Sequence, residues 1–230
     1  MSANASINSL TCDSTGVPAR YSYGDLVEGT GPRTYTLAVG EAVIDLSQKN
    51  FGPADVNLLT TWIQRPEVSN SIIPSLTMAC IIGNPIGSDG AKLLIEVFDS
   101  HPKLQSLCGI SPGCTTVDLS NSNMEPADCL ILTHELQAGR ATGSIARISV
   151  LSNPIGVEGA TALIDVYERN ENLRTLLGIE EGVTELNLAE KQVDPGQAMV
   201  LAKELQAGRA IRSLAVLNIS GALTPSDLPH

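Results

Sequence analysis

Large aromatic rings are scarce in this chain: two Phe, one Trp and four Tyr among 230 residues, 3% of the total. A core without them has to be built from Leu, Ile, Val and Ala, which suits thin regular layers better than one bulky centre. Basic residues are few as well, 14 Lys and Arg against 25 Asp and Glu, so the net charge is −11. An acidic chain is repelled by nucleic-acid phosphates and by anionic membrane surfaces, and neither is expected as a partner. No run approaches the ~20 apolar residues of a membrane span. The opening MSANASINSLTCDSTG lacks the basic and apolar regions of a secretory signal. The cysteines are five, an odd number at irregular spacing (Cys12, Cys80, Cys108, Cys114 and Cys129). That disfavours a disulfide framework and points to reduced thiols in a cytoplasmic protein. The three histidines, His101, His134 and His230, have no partners at metal-ligand spacing, so neither a metal nor a cofactor is expected.

What the chain does have is internal repetition. Three segments beginning at Ala42, Thr115 and Thr184 read alike (AVIDLSQKNFGPAD, TTVDLSNSNMEPAD and TELNLAEKQVDPGQ) and form a first type. Two beginning at Ile81 and Val150 (IIGNPIGSDGAKLLIEVF and VLSNPIGVEGATALIDVY) form a second. The types alternate, and a sixth, partial unit starts near Leu214. Leu46, Leu119 and Leu188 recur at spacings of 73 and 69 residues, each holding two units of about 35. The connectors match too, SLCGI at 106–110 against TLLGI at 175–179, and ELQAGRA occurs identically at 135–141 and 204–210. In this register Cys108, Cys114 and Cys129 align with Leu177, Val183 and Ala198, places for small buried hydrophobes.

Each unit resolves into a strand, a turn and a helix. Ile145, Ile148 and Val150 alternate like a half-buried strand. Pro154 keeps Asn153 extended, and a helix from about Val157 carries Ala160, Leu163, Ile164 and Tyr167 on one stripe. Ala91, Leu94, Ile95 and Phe98 repeat that stripe. In the first type Pro53, Pro126 and Pro195 open the helices, where a missing N–H costs nothing. Asp55 and Asp128 favour the helix dipole, and Gly139 and Gly208 punctuate helix ends. One unit cannot bury both its strand face and its helix stripe, so neighbours must stack. Helices are wider than strands, so the stack curves with strands inside.

The strings Leu76–Gly87 (LTMACIIGNPIG) and Ile145–Gly156 (IARISVLSNPIG), each leading into an Ala-led helix, resemble the ribonuclease-inhibitor-like class of leucine-rich repeats over residues 37–225. The resemblance implies an α/β fold: a right-handed curved solenoid of about six units alternating two types. Parallel strands line the concave side and helices the convex side. It also implies that Asn84 and Asn153 form a ladder bonding backbone groups of adjoining turns, with Lys49, Ser122 and Lys191 at the corresponding sites of the first type. Residues 1–36 show no repeat and are expected to cap the solenoid of residues 37–230, which ends in a short C-terminal cap at Thr224–His230.

Motifs of catalysis dissolve on inspection. Gly109-Ile-Ser111-Pro-Gly113 has the form of a nucleophile elbow, but it lies in a connector, and the corresponding repeat reads Gly178-Ile-Glu-Glu-Gly182. Asp45 and Asp118, ~10 Å apart on stacked same-type strands, match the spacing of an inverting glycosidase pair without any aromatic platform. Asn4-Ala-Ser6 and Asn218-Ile-Ser220 match glycosylation sequons by pattern alone. The expected function is a non-catalytic module that binds a protein partner on its concave face, with homo-oligomeric self-assembly as the alternative and a monomer preferred. The expected contact residues are Asp45, Met78, Ile82, Asp118, Arg147, Leu151, Glu185 and Leu217. Ile82, Leu151 and Leu217 are expected to form a broken apolar band among acidic strands.

Overall fold

The computed structural model describes residues 7–16, 31–69, 76–189, 191 and 193–221. Asn4-Ala-Ser6, His230 and the cap expected at Thr224–His230 lie outside them, as does much of the segment 1–36. The fold is mixed α/β, made of short strand pairs and helices. The chain divides into two compact units, Met1–Gly109 and Ile110–His230, each described by itself. No helix among the described residues is long and apolar enough to cross a membrane.

The first unit opens with an antiparallel hairpin, β1 (Ser9–Asp13) on β2 (Thr34–Ala38). Strand β3 (Val43–Asp45) follows, then helix α1 (Pro53–Ile63), the short α2 (Pro66–Ser69), strand β4 (Met78–Cys80) and helix α3 (Gly87–Ser100). Strands β3 and β4 pair in parallel, Ile44 opposite Ala79, and α1 packs on α3. One carboxylate makes several of the bonds that join the hairpin to the first repeat. Asp55, at the third position of α1, accepts from the Thr15 amide and hydroxyl, both at 2.7 Å, from the Gly52 amide and from the Tyr35 hydroxyl at 3.0 Å. Asp55 thus satisfies a helix-start N–H and holds the hairpin at once. Tyr35 meets Phe51 edge-on at 4.8 Å, the preferred geometry for two rings. At the crossing, Gly16 and Gly52 are in contact, and a Cβ on either one would strike the other's backbone or that of Asn50.

The second unit holds strand β5 (Thr116–Asp118), helix α4 (Pro126–Ala138), strand β6 (Arg147–Ser149), helix α5 (Gly156–Arg169), strand β7 (Glu185–Asn187), helix α6 (Pro195–Ala207) and strand β8 (Val216–Asn218). Strands β5 and β6 are parallel partners, as are β7 and β8, while α4, α5 and α6 pack in series. Proline stands at the first position of α1, α4 and α6, and Gly139 and Gly208 end α4 and α6 in left-handed backbone. The second-type helices start one residue earlier than the sequence suggests, at Gly87 and Gly156. Their buried stripe is Ala-Leu-Val-aromatic: Ala91, Leu94, Val97 and Phe98, then Ala160, Leu163, Val166 and Tyr167. Ile95 and Ile164, expected in the stripe, are half-buried at its flank.

The connectors are not simple links. Residues 105–108 run beside β4: the Ala79 and Ile81 amides donate to the Ser106 and Leu107 carbonyls at 2.9 and 3.0 Å, and the Gln105 amide donates to Thr77. Residues 174–178 do the same beside β6, with Ile148 and Val150 donating to Thr175 and Leu176 at 3.0 and 2.9 Å. Each connector is therefore an extra rung. Leu107 and Cys108 in the first connector, and Leu176 and Leu177 in the second, are buried.

Candidate functional site

The strands offer two rows of side chains. The inward row is uniformly aliphatic: Ile44, Ala79, Val117, Ile148, Leu186 and Leu217. The outward row divides into a first and a second position on each strand, and the two behave differently.

On β3, β5, β7 and β8 the second outward position is occupied by turn chemistry, whereas β4 and β6 carry Cys80 and Ser149 there. Asp45 accepts from the Ser47 amide at 2.9 Å and the Ser47 hydroxyl at 2.6 Å, and Asp118 repeats both bonds with Ser120 at the same distances. Asn187 accepts from the Ala189 amide, and Asn218 from the Ser220 amide and hydroxyl. These are Asx turns, in which a short polar side chain mimics a backbone acceptor as the strand ends. The Ser120 bonds hold the Asp118 carboxyl below its ordinary value. Asp45 and Asp118 fall in separate units, each tied to its own serine. Asn218 of the sequon is exposed but engaged by Ser220.

The first outward position carries Val43, Met78, Thr116, Arg147, Glu185 and Val216. Val43 and Val216 are each 52% exposed, large values for valine on a sheet. Glu185 and Thr116 are exposed, Met78 and Arg147 half-buried. Arg147 reaches Glu180 of the connector at 2.9 Å. Both partners face solvent in part, so the pair contributes little to stability.

Three expected contact residues are placed differently. Ile82 is buried, 2% exposed, because β4 ends at Cys80 and strand alternation ends with it. Its carbonyl accepts from the Gln48 amide of the neighbouring turn. Leu151 occupies the matching place after β6, accepts from Asn121 and is half-buried. Leu217 faces inward opposite Leu186, and Val216 and Asn218 face outward. The run Val216-Leu-Asn-Ile219 is apolar on both faces, so its pattern does not select one; pairing with β7 does. The apolar band expected from Ile82, Leu151 and Leu217 is therefore replaced by Val43 in one unit and Val216 in the other.

Behind the strands, Asn84 and Asn153 bridge two turns each. The Asn84 amide donates to the Ile81 carbonyl of its own turn at 2.7 Å and to Leu46 of the neighbouring one at 2.8 Å, while its oxygen accepts from the Phe51 amide. Asn153 donates to Val150, Leu151 and Leu119 and accepts from Ser122 and Met124. Because one amide serves both turns, the first-type turn needs no Asn of its own, and Ser122 presents only its backbone N–H to Asn153.

The repeated ELQAGRA run has a role that its recurrence alone does not reveal. Glu204 is 1% exposed and accepts from the Leu176 and Leu177 amides and the Thr175 hydroxyl, holding the connector rung. Burial raises its carboxyl pKa against the lowering effect of those donors. Arg209 donates to the Tyr167, Asn170 and Leu173 carbonyls at 2.6, 2.8 and 2.9 Å and so caps the end of α5. The second copy of the run, at 204–210, is thus a clamp.

Other expected features resolve simply. Ser111 is exposed in a turn, its carbonyl accepting from the Cys114 amide. Cys108 and Cys129 are buried free thiols, and Cys114 is half-exposed. Burial raises the Cys129 thiol pKa strongly. Among the described residues, no three His, Cys, Asp or Glu side chains gather to hold a metal. No known family model matches the chain. No curated protein matches it either.

Proposed function

We propose that the chain is a leucine-rich-repeat solenoid of the ribonuclease-inhibitor-like class, right-handed and curved, with strands on the concave side and helices outside. It acts as a non-catalytic module that binds a protein partner through the first outward position of its strands. One observation carries this reading. Across the repeats, the inward row is aliphatic throughout and four of the six second outward positions make Asx turns, while the first outward position ranges over Val, Met, Thr, Arg and Glu. A position free of structural duty and varied in chemistry within a rigid frame is where a repeat protein can encode recognition. The net charge of −11 favours a partner with a basic surface and binding that weakens with salt. The buried thiols Cys108 and Cys129 suit a reducing, cytoplasmic setting. The chain acts as a monomer.

The test is paired affinity capture from native extract, at low and moderate salt, with the wild-type chain and a Val43→Glu, Glu185→Lys, Val216→Glu variant. The reading expects a protein that the wild type retains, that salt releases, and that the variant loses with its melting temperature unchanged. Equal retention by both chains contradicts it.

A further inference from the structure

Glu204 is a buried carboxylic acid held without a counter-ion. It is 1% exposed, and its partners are the Leu176 and Leu177 amides and the Thr175 hydroxyl, none of them charged. Among the described residues of α5, α6 and the connector between α5 and β7, it is the only buried acid. The charged groups around it are engaged elsewhere. Lys203, its neighbour in the chain, pairs with Glu168 of α5. Arg174 of the connector pairs with Glu181 and donates to the Arg209 carbonyl, and Arg209 donates to carbonyls at the end of α5. Arg147 of β6 pairs with Glu180. Tyr167 of α5 feels the Glu204 charge, which adds to burial in raising its phenol pKa.

The two carboxyl oxygens are placed differently. Both amides reach Oε1. Among the described residues Oε2 meets the Thr175 hydroxyl alone, at 2.9 Å. A hydroxyl can donate or accept, so a proton on Oε2 leaves both amides and the threonine bonded. The neutral acid therefore satisfies the connector as fully as the carboxylate does. Ionisation adds a charge that burial penalises and that no cation balances. The raised pKa of Glu204, with burial outweighing the three donors, agrees in direction.

The segment that Glu204 holds is thin. Residues 174–178 are tied to β6 by four backbone bonds, donated by Ile148, Val150, Arg174 and Gly178. The flanking pairs Arg147–Glu180 and Arg174–Glu181 are partly exposed and contribute little. Opening of this segment hydrates Glu204, uncovers Leu176 and Leu177, and frees the β6 edge from Ile148 to Val150.

We propose that the connector 174–178 is a proton-controlled latch, closed on α6 while Glu204 is protonated and released more often once Glu204 is ionised. The closed form keeps the proton and the open form gives it up to water. The opening equilibrium therefore rises with pH, by at most about tenfold per unit, from the ordinary glutamate value of 4.5 up to the closed-state value. The latch is separate from the strand face of the preceding proposal, and each stands or falls alone.

The test follows amide exchange of the full chain by NMR between about pH 5 and 8, with rates corrected for the intrinsic pH dependence of exchange. Protection of the Leu176, Leu177, Ile148 and Val150 amides is expected to fall by roughly fivefold or more as pH rises, while Leu132 of α4 keeps its protection. In Glu204→Gln, which retains an acceptor for both amides and carries no charge, the fall is expected to vanish. Titration of the Glu204 carboxyl carbon in the wild-type chain, which needs no variant, is expected to give a midpoint above 4.5. The inference is overturned by constant or rising protection in the wild type, by an equal fall in both chains, or by a Glu204 midpoint at or below 4.5.

Discussion

Arg209 lies over the ring of Tyr167, its guanidinium carbon 4.2 Å from the ring centroid, and donates to the carbonyl of the same tyrosine. One side chain thus covers an aromatic face and ends the helix that carries it. Arg209→Ala is expected to cost about 2–3 kcal/mol, from lost charge-assisted bonds and the cation–π contact. Lysine, a point charge without a planar fork, restores only part of this. Urea unfolding of the two variants checks it; a loss under about 0.5 kcal/mol for alanine shows that the clamp is dispensable.

Asn153→Ala is expected to destabilise by about 1–3 kcal/mol, because it orphans buried groups of two turns at once. Asn84→Ala follows the same rule. Equilibrium unfolding measures both, and a loss below about 0.3 kcal/mol for Asn153→Ala argues against the bridging role.

Close helix packing in the second unit rests on glycine. A Cβ on Gly196 would overlap the Gly156 carbonyl oxygen, and one on Gly159 would meet the Cys129 sulfur at 2.9 Å. Gly196→Ala is expected to cost about 1–3 kcal/mol by overpacking. Gly31, with nothing among the described residues within 4 Å of a Cβ, serves as the control, and its alanine variant is expected to change stability by less than about 0.5 kcal/mol. Equal effects at the two sites would remove the packing explanation.

Asp118 sets a pH dependence of known sign. Its folded pKa lies below the ordinary carboxylate value because Ser120 donates to the ionised form. Its stabilisation is therefore present above the unfolded value of 3.8 and is lost as pH falls through the folded one. The carboxylate is largely exposed, so solvent screening keeps the effect to on the order of a few tenths of a kcal/mol. Asn187 and Asn218 make the corresponding turn without a charge, so Asp118→Asn is expected to keep the turn and flatten this part of the acid profile. Thermal melts between about pH 2.5 and 6 compare the two chains; an unchanged slope in Asp118→Asn refutes the assignment.

Much of each unit was legible because local chemistry acts locally. Proline at helix starts, glycine after Ala138 and Ala207, and aliphatic alternation along β6 each specify their own backbone. The connector rungs were not legible, since Ser106-Leu-Cys108 carries one buried leucine and too short an alternation to announce a strand. Ile82 was misplaced because period two was extended past the strand's end, and Leu217 because a strand apolar on both faces leaves its register to its neighbour. Asp45 and Asp118 looked like a free acidic face, although serine two residues later was the available sign of an Asx turn. The clamp of Glu204 and Arg209 depends on contacts with segments about 30 to 40 residues earlier, beyond the reach of any local pattern.

Amide hydrogen exchange of the chain with and without its captured partner measures the recognition surface itself. The account predicts slowed exchange concentrated in β3 to β8 and the turns that follow them, with the outer faces of α3, α5 and α6 unchanged. Protection confined to those helices, with the strands exchanging as in the free chain, would contradict it.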